Sequence, residues 1–259
     1  MRAPSGLTTL FCDVGGVLIE VPWVSTARTL APRLGMGEAQ VFGLLTRLSI
    51  KLDRGEITLR QYHLELEESA SHEVPYRLFS DALDSALKKI APVWGPVRDL
   101  KASGAMEVVA LSNMSREVWS SLQRKFRIGS LFHSSVLSFE HGLLKPDPRF
   151  FKLALDVTGA SPGESLFVDD SVENVRTAKS LGLHAYRSVR PEDTANLLRS
   201  LVDAGNGGRQ AALRAVLRTT PPDAPSGQPG QAGPRKVRGF RADRVKPLKL
   251  DSDAARVVA

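Results

Sequence analysis

Up to about residue 204, short apolar runs alternate with stretches whose apolar residues recur every three to four positions. The runs at 8–13, 107–111, 135–138, 165–168 and 184–186 read as strands, most of them apolar on successive residues, as in a parallel sheet buried on both faces. Helical spacing follows at 96–103, 115–126, 147–158, 171–181 and 191–202. Ser115, Asp147 and Ser171 stand where N-caps belong, and Gly182 closes the fourth helix. This alternation predicts an α/β core, Rossmann-like, with helices on both faces of a parallel sheet. Between the first two strands lie about 80 residues without a strand pattern. They show helical spacing at 25–34, 38–51, 59–70 and 76–89, punctuated by Gly35, Gly37, Gly55 and Pro75. The expected organisation is a core of residues 1–20 and 92–204 with a small helical domain, 21–91, inserted into it.

The pattern stops after 204. Residues 205–208 are Gly-Asn-Gly-Gly, and 221–234 are mostly Pro, Gly, Gln, Ala and Ser, which offer little to bury. Between them, 209–218 is spaced as a short helix with Leu213, Val216 and Leu217 on one side, marginal on its own. The expectation is a disordered tail over 205–259 whose deletion leaves stability nearly unchanged. Charge sharpens the division: the tail holds eleven Lys/Arg against four Asp, which is all of the net +7, so the body is balanced. Nucleic acid is then a partner only through the tail, where seven basic residues in 235–249 surround the single aromatic Phe240. One aromatic makes no stacking platform for bases.

Composition is that of an ordinary globular protein, 42% hydrophobic and 24% charged. The single cysteine, Cys12, permits neither an internal disulfide nor a zinc ribbon and fits a reducing, cytoplasmic location. The apolar runs 7–12 and 14–19 are split by Asp13, so neither a membrane span nor a signal peptide is expected. Five histidines, at 63, 72, 133, 141 and 184, show no ligand spacing.

The candidate chemistry lies just past the strands, at the rim where open α/β sheets bind ligands. The first strand runs into Asp13-Val14-Gly15-Gly16, a carboxylate beside two glycines that let an anion approach the backbone. The second ends in Ser112-Asn113. Lys145-Pro146-Asp147 follows the third, and Asp169-Asp170-Ser171 the fourth, with Asn174 one helical turn on. A carboxylate, a hydroxyl, an ammonium and an acidic pair suit a divalent cation and a phosphate.

In order and spacing, Asp13 in FCDVGGVL, Ser112 in ALSN, Lys145 in LLKPD and Asp169-Asp170 in FVDDSVEN resemble the four motifs of the haloacid dehalogenase-like hydrolase superfamily, over about residues 6–200. The Gly-Gly form of the first motif and the turn Asp53-Arg54-Gly55-Glu56-Ile57 look most like small sugar-phosphate phosphatases of the glucose-1-phosphatase type. The resemblance implies that the helical insertion is a mobile cap carrying specificity residues Arg54 and Gly55. It implies that Asp13 attacks phosphorus to form an aspartyl-phosphate and that Lys145 neutralises the crowded charge. Ser112, Asn113 and Gly16 would hold phosphoryl oxygens. Mg²⁺ would sit on Asp13, the Gly15 carbonyl, Asp169 and Asp170. The expected partner is a small phosphorylated metabolite.

One departure stands out. Where such phosphatases usually carry a second Asp two residues after the nucleophile, this chain has Gly15. General acid–base help contributes about 10²–10⁴-fold. Three readings stay open: a substrate with an easily expelled leaving group, an acid borrowed from the cap, or a binding protein that has lost catalysis. A 2-haloacid dehalogenase would also use an Asp nucleophile, but that chemistry leaves the Asp169-Asp170 pair unexplained.

Overall fold

The computed structural model describes residues 6–70, 72–204, 208–209 and 211–214. In chain order, β1 (Thr9–Cys12) is followed by four helices, α1 (Trp23–Leu34), α2 (Glu38–Asp53), α3 (Leu59–Glu67) and α4 (Tyr76–Ala86). Then come α5 (Ala91–Ala102), β2 (Glu107–Ser112), α6 (Arg116–Phe126), β3 (Ser134–Leu137), α7 (Ser138–His141) and α8 (Pro148–Thr158). The body closes with β4 (Ser165–Asp169), α9 (Val172–Ser180), β5 (His184–Arg187) and α10 (Pro191–Asp203).

The five strands form one parallel sheet in the order β3-β2-β1-β4-β5. All four residues of β1 are buried, as the central position requires. Side chains of successive residues point to opposite faces. Leu10 and Cys12 join Val97, Leu100, Leu197 and Leu201 of α5 and α10 on one side. Phe11 meets Phe150, Phe151 and Val175 of α8 and α9 on the other. The chain leaves β1 first towards β2 and later returns on its other side as β4, so the crevice for a ligand opens at the carboxyl end of β1. Cys12 is in register with Ala110 and Val168, which brings Asp13, Ser112 and Asp169 to similar heights.

Helices α1–α4 pack around their own apolar cluster, with Leu30, Leu45, Tyr62 and Phe79 at its centre. Two crossings join them to the sheet, and these run side by side. The Glu20 N–H donates to Lys88 O (2.9 Å), and the Ile90 N–H donates to Leu18 O (2.8 Å). Ile19 and Lys89 form an antiparallel bridge, and Trp94 Nε1 donates to the same Leu18 carbonyl (2.8 Å).

Three features differ from the sequence expectation. Helix α5 starts at Ala91, five residues before the expected 96: Pro92 occupies its first turn, where no N–H is needed, and burial of Val93, Pro96 and Val97 carries the helix through Pro96. Helix α7, a single turn, carried no visible periodicity. Finally, residues 208–209 and 211–214 are helical and docked, although they fall in the stretch expected to be a disordered tail. Arg209 is buried and donates to Leu7 O (3.2 Å), Ala105 O (2.6 Å) and Leu201 O (3.3 Å), while Leu213 joins the core cluster. Three backbone carbonyls and one leucine side chain supply the docking energy that the amphipathic pattern alone did not reveal. The basic stretch 235–249 lies outside the described residues.

Candidate active site

Asp13 follows β1 directly, and its N–H extends the ladder to Val168 O (2.9 Å). Its side chain is buried, and every donor that reaches it falls on Oδ1: the Val14 N–H (2.7 Å), Ser112 Oγ (2.7 Å) and Lys145 Nζ (2.9 Å). Among the described residues Oδ2 has no partner, so the carboxylate is pinned by one oxygen and presents the other. Ser112 ends β2. Lys145 lies in the loop before α8, which starts at its N-cap Asp147. Its ammonium also donates to Asp169 Oδ2 (2.7 Å) and Leu111 O (2.8 Å), using all three protons.

Asp169, the last residue of β4, is fully buried and satisfied. Besides Lys145 it accepts from the Ser171 N–H (2.8 Å) and from Asn174 Nδ2, 3.0 Å from each oxygen. Asp170 is different: its Oδ1 is buried with no hydrogen-bond partner. Its carboxylate lies against Gly16, where φ is +75° and a Cβ would sit 2.3 Å from Asp170 Oδ2. Only glycine leaves that space. Loss of solvent, with Asp169 alongside, pushes Asp170 up to about 7 against the opposing pull of Lys145 and Arg187. Burial also lifts Asp13 well above the usual carboxylate range; Lys145 opposes this, and Asp169 and Asp170 add to it. Burial works against the Lys145 charge, but the hydrogen-bonded Asp13 and Asp169 outweigh it and raise the lysine above its ordinary value.

Carboxylate oxygens of Asp13, Asp169 and Asp170 lie within 4.8 Å of one another. Three carboxylates exceed what Lys145 alone offsets, the donors are all oxygen, and one of those oxygens is buried without a partner. Such a set fits a hard divalent cation. The orphaned oxygen makes Asp170 a better ligand candidate than Asp169, whose oxygens already accept four hydrogen bonds.

The structure brings Asp13, Ser112, Lys145, Asp169 and Asp170 together as the sequence suggested, but two groups expected at a phosphate are engaged elsewhere. Asn113 clasps the lysine loop at two points, donating from Nδ2 to Lys145 O (2.9 Å) and accepting the Lys145 N–H on Oδ1 (2.8 Å). The Gly16 N–H is given to Ile19 O (2.8 Å). Arg54 and Gly55 form the turn after α2, which docks on α7: at Gly55, φ is +71° and a Cβ would lie 2.7 Å from Phe139 O. Two residues absent from the sequence reading fasten that turn. Ser138 Oγ donates to Asp53 O (2.5 Å) and accepts the Met114 N–H (2.9 Å), and Glu117 Oε1 accepts the Leu59 N–H (3.1 Å). Arg187, at the carboxyl end of β5, donates from Nε to Asp170 O (3.2 Å); its place on the same rim was the available signal.

A profile of the haloacid dehalogenase-like hydrolases matches residues 8–182. The chain belongs to this family. The mouse (Mus musculus) acyl-CoA dehydrogenase family member 10 is 29% identical over 203 residues, which are 73% of this chain and 18% of that protein. The phosphoserine phosphatase of Thermus thermophilus is 29% identical over 147 residues, 54% of this chain and 58% of that enzyme. The family member's magnesium and inorganic phosphate complex from Bacteroides thetaiotaomicron superimposes with a TM-score of 0.59 at 25% identity, covering 70% of this chain and 94% of the other. This chain spans 18–36% of the length of the first three curated relatives it matches.

Proposed function

We propose that this family member is a Mg²⁺-dependent hydrolase of a small phosphomonoester that works through a phosphorylated Asp13. The observation that carries the reading is the asymmetry of the carboxylates: Asp13 is pinned through Oδ1 with Oδ2 free, beside an Asp170 oxygen that is buried and unpaired. The phosphatase among its relatives and the magnesium and phosphate in its structural neighbour support the choice of reaction and cation. The lone buried Cys12 supports a cytoplasmic setting, and no helix among the described residues is long and apolar enough to cross a membrane.

Asp13, Asp170 and the Gly15 carbonyl would hold the cation, which supplies positive charge to the phosphoryl oxygens and screens the carboxylates from them. The rest is done by the chain. Ser112 and Lys145 orient Asp13 so that Oδ2 faces the substrate. Asp13 Oδ2 forms a bond to phosphorus as the bond to the leaving oxygen breaks. Water then attacks phosphorus, the bond to Asp13 breaks, and inorganic phosphate leaves with the carboxylate restored. Lys145 stays charged throughout and balances the charge that builds up between Asp13 and the phosphoryl group. Asn113 acts through the lysine loop, holding both its N–H and its carbonyl. Helices α1–α4 serve as the cap, with Arg54 and Gly55 at the turn that meets α7.

The test is hydrolysis of an aryl phosphate with Mg²⁺ and with excess chelator, in the wild type and Asp13→Asn. Turnover is expected only in the wild type with the metal, with the variant folded to the same far-UV signal. Turnover by Asp13→Asn would remove Asp13 as the nucleophile, and chloride release from a 2-haloacid without metal would turn the assignment to dehalogenation.

A further inference from the structure

Departure of an alkoxide needs a proton, and among the described residues the groups around Asp13 offer none. Among the described residues, the charged side chains that act most strongly on Asp13 are Lys145, Asp169 and Asp170. Lys145 spends its three protons on Asp13, Asp169 and Leu111. Asp169 accepts on both oxygens, and Ser112 gives its proton to Asp13. Asp170 belongs to the cation under the reading above. Arg187, beside Asp170, gives its Nε proton to the Asp170 carbonyl. At the cap turn, Glu56 is exposed and pairs with Arg54 at 3.6 Å. Asp53 is half-buried, and its charge acts on Tyr62, whose hydroxyl donates to Leu45 O inside the cap. At Gly15 there is room instead of a side chain: a Cβ there meets nothing nearer than Val21 Cγ2 at 4.0 Å.

Resting on the phosphomonoesterase reading, we infer that the site is matched to phosphoryl donors whose leaving oxygen is weakly basic, such as enol, phenol, hemiacetal or carboxyl oxygens, and discriminates against phosphates of simple alcohols. An oxygen of this kind leaves with its electron pair and takes its proton from solvent afterwards, so no protein acid is required at the moment the bond to phosphorus breaks. With Asp169 saturated by donors and Asp170 given to the cation, the attacking water likewise lacks a base among the described residues. The Asp13 acyl phosphate therefore forms faster than it is hydrolysed.

The experiment is a series of substituted phenyl phosphates of rising leaving-group pKa, ending in a simple alkyl phosphate, assayed with Mg²⁺ on the full chain, with Gly15→Asp and Gly15→Asn alongside. In the wild type kcat/KM is expected to fall steeply along the series, and rapid mixing is expected to show a burst of phenolate near one equivalent of enzyme. Gly15→Asp adds a proton donor where the backbone has space. It should raise kcat/KM for the alkyl member towards the 10²–10⁴-fold range of general acid catalysis and flatten the series. Gly15→Asn, of equal size but without the proton, should do neither. A wild-type series independent of leaving-group pKa would overturn the inference, whatever the variants do. If that flat series turned steep in Asp53→Asn, the acid would be Asp53. No hydrolysis of any member would overturn the phosphomonoesterase reading itself, an outcome distinct from a flat series.

Discussion

Asp53 ends α2 half-buried, and loss of solvent pushes its carboxyl from 3.8 up to about 7. Between these values the folded protein keeps a proton that the unfolded chain has released, so the stability linked to this group is complete below about pH 4 and is lost as the pH rises towards 7. Asp53→Asn, neutral at every pH, is expected to melt higher than the wild type at pH 8 and to lose that advantage by pH 4. Thermal melts at the two values check this, and an equal gain at both would point to packing instead of ionisation. At this scale the sequence exposed the residues that stand directly after apolar runs: Asp13, Ser112, Asp169 and Asp170. It concealed what those residues need from the backbone. That Asn113 clasps Lys145, or that Gly16 makes room for Asp170, depends on two loops meeting, and neither residue differs in type from one at an ordinary turn.

Helices and strands show the same division between local and long-range causes. Long periodic helices such as α6 and α8 follow from their own spacing. The start of α5, with two prolines, follows from the sheet and α10 that bury it, and α7 is too short to have a period. Yet α7 is where the cap turn lands. A methyl group on residue 55 would have to occupy a left-handed backbone and enter the carbonyl of Phe139. Gly55→Ala is therefore expected to cost about 1–3 kcal/mol, the usual range for such strain, seen as a lower denaturant midpoint. An unchanged midpoint would mean that the turn does not rest on α7 in solution.

For the whole molecule, residues 208–209 and 211–214, beyond α10, belong to the fold. Ending the chain after 204 removes the three hydrogen bonds of Arg209 and the buried Leu213. Charged hydrogen bonds contribute about 1.5–3 kcal/mol each and a buried leucine about the same, so a drop in melting temperature of about ten degrees or more is expected. Ending after 214 should leave it nearly unchanged, and equal melting of the two truncations would show that the docked segment adds nothing. The paired crossings carry a different consequence, one for engineering. Because Glu20 bonds to Lys88 and Leu18 to Ile90 as an antiparallel ribbon, the two cut ends left by excising the cap would already face each other at strand spacing. A two-residue Asn-Gly hairpin turn could join them. The α/β body is thus laid out so that helices α1–α4 join it through two adjoining ends, where another helical module could be spliced in their place.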